Sequence, residues 1–139
     1  MYFAWKNEYS MEIKTIDDQH KKLFEIGRRV SDYVFSNDLP VGREEVVSIL
    51  LDLKAYTEFH FKFEEKLMAE YGYPYYGTHK NEHDMIIGRI QKLEDGISDL
   101  IQKETLMELI NFIFEWISKH ILKDDKKYKG YFTDMEDKE

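Results

Sequence analysis

The chain of 139 residues is long enough for one domain with a buried core, and its hydrophobic content of 42% and charged content of 35% are typical of a globular protein in water. Its net charge of −8 argues against a nucleic-acid-binding role, because the lysines are spread among acids instead of forming a basic patch. The absence of cysteine excludes disulfides, iron–sulfur clusters and thiolate-bound zinc. The sequence shows neither a signal peptide nor a membrane span, so we expect a cytoplasmic protein without a membrane partner.

The first part of the chain predicts an irregular arm followed by a helix. Residues 1–15 form the predicted arm, and Thr15 with Asp18 is typical of a helix cap. Apolar or weakly polar residues then recur at steps of three and four, which places them on one helix face. These residues are Ile16, His20, Leu23, Gly27, Val30 and Val34.

Three further helices are predicted, at about residues 41–71, 75–102 and 104–122. Asn37–Pro40 is expected to end the first helix and cap the second, and Gly72–Pro74 to separate the second from the third. The inner stripe of the second helix is Val46, Ile49, Leu53, Tyr56, His60, Phe63 or Glu64, and Leu67. That of the third is His79, His83, Ile86, Ile90, Leu93, Ile97 and Leu100. That of the fourth is Leu106, Leu109, Ile113, Trp116 and His120.

These elements predict an all-α protein, an antiparallel up-down-up-down four-helix bundle with an irregular N-terminal arm. We expect one domain over residues 1–139, with the bundle at 16–131 and an acidic tail at 132–139. Tyr71, Tyr73, Tyr75 and Tyr76 cluster at the turn between the second and third helices, where packing at the end of the bundle is their expected role.

All five histidines fall on the inner stripes. One such histidine could be an ordinary core residue, but a buried imidazole needs partners for both nitrogens, so five without a common purpose would be costly. His79 and His83 lie one turn apart on one helix face, and His60 and Glu64 have the same relation. Each pair can therefore offer two neighbouring ligands to a metal inside a bundle.

The positions along the helices agree with a single site. His20 lies near the start of its helix, whereas His60 and His120 lie near the ends of theirs. In an alternating bundle these positions, together with the start of the third helix, meet at one end.

Asp125 is the seventh candidate ligand, five residues after His120. On a regular α-helix this spacing turns the two side chains apart, so joint ligation predicts a widened, π-type turn between them. The spacing alone leaves open that Asp124 and Asp125 are instead a solvated acidic pair.

Imidazole and carboxylate ligands without thiolate suit iron, manganese or zinc. Five histidines and two carboxylates are too many for one such ion with an open position, and they suit two ions bridged by the carboxylates. No histidine has a Glu three residues before it, so the Glu-x-x-His pairs of ferritin-like di-iron oxidases are absent. The histidine-rich set favours reversible binding over oxidation.

The combined pattern resembles the metal-ligand pattern of hemerythrins in their bacterial form. Four segments carry the resemblance: Asp18-Gln-His20, His60-Phe-Lys-Phe-Glu64, His79-Lys-Asn-Glu-His83 and His120-Ile-Leu-Lys-Asp-Asp125. It implies two iron ions bridged by an oxo or hydroxo group and by two carboxylates. The implied ligands are His79, His83 and His120 for one iron, His20 and His60 for the other, which keeps an open position, and Glu64 and Asp125 as the bridges.

The resemblance also implies a pocket for dioxygen and a function. The implied pocket residues, which plain core packing would also explain, are Leu23, Phe61, Trp116 and Ile121. Tyr128 matches a family tyrosine that could bond a buried ligand or merely pack. The implied function is reversible dioxygen binding for storage, transport or delivery, by a protein that is not an enzyme. The alternatives are an oxygen or redox sensor read by an unidentified redox or signalling partner, and a di-iron peroxidase or oxidase; iron storage fits poorly.

Overall fold

The computed structural model describes residues 3–36, 41–97, 99–128 and 130. Within these ranges the main elements are α1 (Lys14–Ser36), α2 (Arg43–Glu70), α3 (Tyr76–Asp95) and α4 (Lys103–Lys119). α1 packs against α2 and α4, and α2 packs against α3. The prediction of an all-α four-helix bundle is confirmed. The predicted cap at 37–40 and tail at 132–139 lie outside the described residues, as does the side chain of Val34.

The start of α1 differs slightly from the prediction. The helix begins at Lys14, before Thr15, and the carboxylate of Asp17 reaches back to the arm. It accepts hydrogen bonds from the Met11 amide at 2.7 Å and from the Ser10 hydroxyl at 2.6 Å. This bonding fixes the arm against the first turn of the helix that carries His20.

The end of α3 was predicted wrongly. The helix stops at Asp95 with Gly96 as its C-cap, not at residue 102, and Leu100 is 61% exposed instead of lying on an inner stripe. Leu100–Ile101 forms a short strand, β2, that pairs antiparallel with Val41–Gly42, β1. The Arg43 guanidinium also donates to the Ile97 carbonyl at 3.0 Å. These bonds satisfy backbone groups that a longer helix would have used, and they tie the two connections together at the end of the bundle opposite His20.

The end of α4 confirms the predicted irregularity. The helix widens into a π-helical turn over His120–Asp124 and then tightens into a 3₁₀ turn over Asp125–Tyr128. The extra residue in the wide turn changes the angle between side chains five positions apart. His120, Asp125 and Tyr128 are all buried as a result.

The N-terminal arm is part of the core. Phe3 is buried, its carbonyl accepts a hydrogen bond from Arg28 at 2.9 Å, and its ring lies against Gly27 of α1. A Cβ atom at position 27 would overlap that ring, so glycine there allows the ring to lie directly against the helix. Gly27 therefore faces inward, as the predicted stripe of α1 requires, and its neighbour there is a ring of the N-terminal arm.

No helix in the described ranges has the length and apolarity needed to cross a membrane.

Candidate metal centre

All seven sequence-predicted ligands come together at one end of the bundle, and each is at most 3% exposed. α1 contributes His20, α2 contributes His60 and Glu64 one turn apart, and α3 contributes His79 and His83 one turn apart. The π-turn after α4 contributes His120 and the residue after it is Asp125. As the sequence predicts, the alternating directions of the helices bring the candidate ligands to the same end of the bundle.

The ligand atoms form two overlapping groups, each with atoms within 4.8 Å of one another. The first group is Glu64, His79, His83, His120 and Asp125. The second group is His20, His60, Glu64 and Asp125. The two carboxylates belong to both groups, so the arrangement could hold two ions that share them.

Asp125 lies between the two groups. Its Oδ1 atom is 2.9 Å from Nε2 of both His79 and His120, and its Oδ2 atom is 2.9 Å from Nε2 of His20. One oxygen therefore faces each group, which is the geometry that a bridging carboxylate needs.

Glu64 is placed differently. Its Oε1 atom lies 3.3 Å from Nε2 of both His60 and His83, which belong to different groups. Its Oε2 atom accepts a hydrogen bond from the hydroxyl of Tyr128. The sequence left open whether Tyr128 bonds a buried ligand or only packs, and the structure contains the hydrogen bond. This bond holds the carboxylate of Glu64 in place.

The unpaired atoms test whether these residues fit metal ions. Ring nitrogens Nε2 of His20, His60, His83 and His120 are buried without a hydrogen-bond partner, as are Oε1 of Glu64 and Oδ2 of Asp125. Such orphaned atoms cost free energy unless something else binds them. A first-row ion with ligands at about 2.1 Å holds neighbouring ligand atoms about 3 Å apart, close to the separations of 2.9–3.3 Å observed here. The site therefore fits metal ions.

Two outer residues orient the imidazoles, and the sequence reasoning missed both. The amide oxygen of Gln19 lies 2.7 Å from Nδ1 of His60, and the carboxylate of Glu65 lies 2.8 Å from Nδ1 of His83. Since these oxygens accept, the ring Nδ1–H donates, which leaves Nε2 with a free lone pair toward the site. The only sequence signal for these two residues was their position, since Gln19 directly precedes His20 and Glu65 directly follows Glu64.

The electrostatics differ among the candidate ligands. Burial lowers the pKa of His60 to about 3, against the attraction of Glu64, so this imidazole is neutral. Burial opposes ionisation of Asp125, but His120 and the other facing imidazoles hold the pKa of Asp125 well below its usual range. Burial alone would lower the pKa of His120, yet Asp125 raises it well above its usual value. Metal binding at His120 must therefore release a proton.

The four predicted pocket residues are buried and belong to one apolar cluster. The Phe61 ring stacks on the His83 imidazole at 3.7 Å and 3°, and it meets the Trp116 ring edge-on at 6.0 Å. Leu23 and Ile121 are at most 1% exposed in the same cluster. The indole N–H of Trp116 is buried without a partner among the described residues, which leaves one polar group in an otherwise apolar wall.

Comparison with known proteins gives the family. The profile of the hemerythrin HHE cation binding domain matches residues 11–132. A bacteriohemerythrin of Clostridium acetobutylicum is 36% identical over 127 residues, which cover 91% of this chain and 98% of that protein. A bacteriohemerythrin of Campylobacter jejuni is 34% identical over 126 residues, covering 90% and 91% of the two chains. A crystal structure of wild-type hemerythrin superposes with a TM-score of 0.78 at 29% identity, covering 94% of this chain and 97% of that one. The chain belongs to the hemerythrin family.

Proposed function

We propose that the buried cluster binds two iron ions and that the protein binds dioxygen reversibly there, for storage, transport or delivery. The observation that carries this proposal is the pair of overlapping ligand groups that share Glu64 and Asp125. His79, His83 and His120 would hold one iron, and His20 and His60 would hold the other. The second group has one histidine fewer, so an iron held there would have room for an external ligand.

Bound iron supplies the electrons with which dioxygen is held. Asp125 and Glu64 would neutralise part of the positive charge of the ions, and the five imidazoles, which bind metal only in their neutral form, would add none of their own. Gln19 and Glu65 keep Nε2 of His60 and His83 directed inward. Membership of the hemerythrin family supports iron over manganese and zinc.

The wall of the pocket supports binding without turnover. Phe61, Leu23 and Ile121 present only carbon atoms, which exclude water and the protons that promote oxidation of the site. The N–H of Trp116 is the one polar group among the four predicted pocket side chains, and it can donate but cannot accept a proton. The absence of a proton acceptor among these four side chains favours a carrier over an oxidase, which would need acids and bases beside its substrate.

Oxygen uptake by the iron-loaded, reduced protein tests the proposal. We expect one dioxygen to be taken up for every two irons, as measured with an oxygen electrode, and to be released under vacuum. Uptake that continues beyond this ratio with added reductant would instead identify an oxidase.

A further inference from the structure

Three tyrosines connect the carboxylate cluster to the molecular surface. Tyr128 is fully buried, and its hydroxyl donates to Oε2 of Glu64. The ring of Tyr73, 3% exposed, lies 6.2 Å from the ring of Tyr128 at an angle of 86°. The ring of Tyr75, 58% exposed, lies 5.7 Å from that of Tyr73 at 69°. A continuous series of contacts therefore leads from a candidate metal ligand to solvent. We call its members the tyrosine row: Tyr128, Tyr73 and Tyr75.

Packing accounts for only part of this arrangement. Tyr73 and Tyr128 are buried in an apolar cluster with Met11, Ile13 and Met68, which for Tyr73 is the packing role that the sequence predicts. Packing requires neither a hydroxyl directed at Glu64 nor an exposed ring at the far end of the contacts.

We propose that the tyrosine row carries oxidising equivalents from the di-iron site to the surface when hydrogen peroxide reacts there. This inference rests on the proposed iron site and goes beyond dioxygen binding. Phe61 stacks on His83, and Trp116 lies 6.3 Å from His120, so an oxidant retained in the site would attack residues that the site needs. A path to solvent moves the damage to a place where a reductant can repair it.

The protons have defined destinations at both ends of the row. When Tyr128 gives up an electron, its phenolic proton moves along the existing hydrogen bond to Oε2 of Glu64. At Tyr75 the phenolic proton passes to water, because the side chain is exposed. The ring of Tyr73 lies between the two and shortens the distance that the electron crosses, without itself having to lose a proton.

The reaction balances with peroxide as the oxidant. One hydrogen peroxide takes up two electrons and two protons, its O–O bond breaks and two waters form. The two phenols supply the two electrons; the two protons that they release, to Glu64 and to water, equal the two that the peroxide takes up, and two phenoxyl radicals remain. A small one-electron donor of the thiol or ascorbate class in solution gives a hydrogen atom directly to the Tyr75 radical. At Tyr128 an electron from a second donor molecule returns along the row, the proton returns from Glu64, and that donor releases its own proton to water.

The test is to mix the iron-loaded protein with hydrogen peroxide and to locate the radical. Electron paramagnetic resonance of freeze-quenched samples, with and without ring-deuterated tyrosine, identifies a tyrosyl signal. A nitroso spin trap followed by peptide mass spectrometry identifies the labelled residue. We expect a tyrosyl signal in the native sequence and the trap adduct on Tyr75.

Two variants and a control make the test specific. Tyr73→Leu removes the middle ring, so the adduct on Tyr75 should be lost while a buried tyrosyl signal remains. Tyr75→Phe changes an exposed side chain and does not endanger folding, so the surface adduct should disappear there too. Tyr56→Phe, on α2 beside Phe59, should leave the Tyr75 adduct unchanged.

Iron content and the dioxygen-dependent spectrum of each sample separate two kinds of failure. A protein without iron would refute the proposed function. A protein that holds iron and binds dioxygen but gives no tyrosyl signal would overturn the tyrosine row alone. Undiminished labelling of Tyr75 in Tyr73→Leu would overturn it as well.

Discussion

Asp125 Oδ1 lies 2.9 Å from Nε2 of His120, five residues earlier, across a helical turn that has widened to the π form. On a regular helix these side chains would diverge by about 140°. The wide turn is therefore the local feature that makes both residues available to one site.

The first prediction separates Asp125 from its neighbour. Asp125→Ala removes the oxygens that face His20, His79 and His120, so we expect iron affinity to fall by well over the roughly hundredfold typical of outer-shell changes. Asp124→Asn is the matched control, because Asp124 is only half-buried and lies 3.6 Å from the outer nitrogen of His120. Competition with a chromogenic chelator gives both affinities. Equal losses in the two variants would contradict the assignment.

The second prediction concerns the π-turn itself. A π-type turn is rare and is found mostly at functional sites, so we expect metal ligation at His120 and Asp125 to stabilise it. Amide hydrogen exchange over residues 120–128 should therefore slow when iron is bound. Residues 44–52 at the far end of α2 serve as the control, where iron should change exchange little. Equal protection of the turn with and without iron would argue that the fold alone maintains it.

The third prediction concerns an outer-shell residue. Gln19→Leu removes the acceptor for Nδ1–H of His60, so the imidazole can rotate and adopt the other tautomer. We expect affinity at the two-histidine group to fall by about 10- to 100-fold while the three-histidine group keeps its iron. Metal analysis after partial chelation, with Gln91→Leu on α3 as the control, measures this difference. Loss of both irons together would show that the two groups do not load independently.

The fourth prediction is a pH dependence. The pKa of His60 is about 3 in the folded chain because of burial, and about 6.5 when unfolded. Below the unfolded value the unfolded state binds a proton that the folded state refuses, so the stability that neutral His60 contributes is present above pH 6.5 and is lost as the pH falls toward 3.

The difference in unfolding free energy between the metal-free protein and His60→Phe isolates this effect from that of His120, whose pKa shifts the opposite way. That difference should decline by up to about 1.4 kcal/mol per pH unit below pH 6.5. Urea unfolding at several pH values measures it. A difference that stays flat between pH 6.5 and 4 would show that His60 is not held neutral by burial.

The fifth prediction concerns the pocket wall. Phe61→Leu removes the ring that stacks on His83 and meets Trp116, which admits water beside the site. We expect the oxygenated protein to oxidise irreversibly faster than the native one, with Phe59→Leu, exposed and two residues earlier, as the control. The decay of the oxygen-dependent absorption band gives both rates. Identical decay rates in the two variants would show that Phe61 does not protect the oxygenated site and has a packing role only.

The sequence predicted the clustering of the seven candidate ligands because two independent regularities agree there. The helical period places His79 beside His83 and His60 beside Glu64, and the alternation of helix direction brings distant segments to one end. The five-residue interval before Asp125 conflicts with the period of 3.6, and that conflict itself predicted the wide turn.

The errors arose where non-local contacts decide the structure. Gly96 after Lys92 is a common signal for the end of a helix, but Ile97 and Leu100 continue the apolar period of α3 and a single glycine is tolerated inside a helix, so the local pattern was ambiguous. The pairing of Leu100–Ile101 with Val41–Gly42 depends on residues about sixty positions apart. Gln19 and Glu65 have the polarity of solvent-facing helix residues, and only their distances to His60 and His83 show their role.

The most direct test of the central claim is the optical spectrum of the anaerobic, reduced, metal-analysed protein before oxygen is added, after it is added and after it is removed. We predict two irons per chain and a charge-transfer band that appears with oxygen and fades when oxygen is removed. A chain that binds no iron, or a band that does not fade on deoxygenation, would contradict reversible dioxygen binding at a di-iron site.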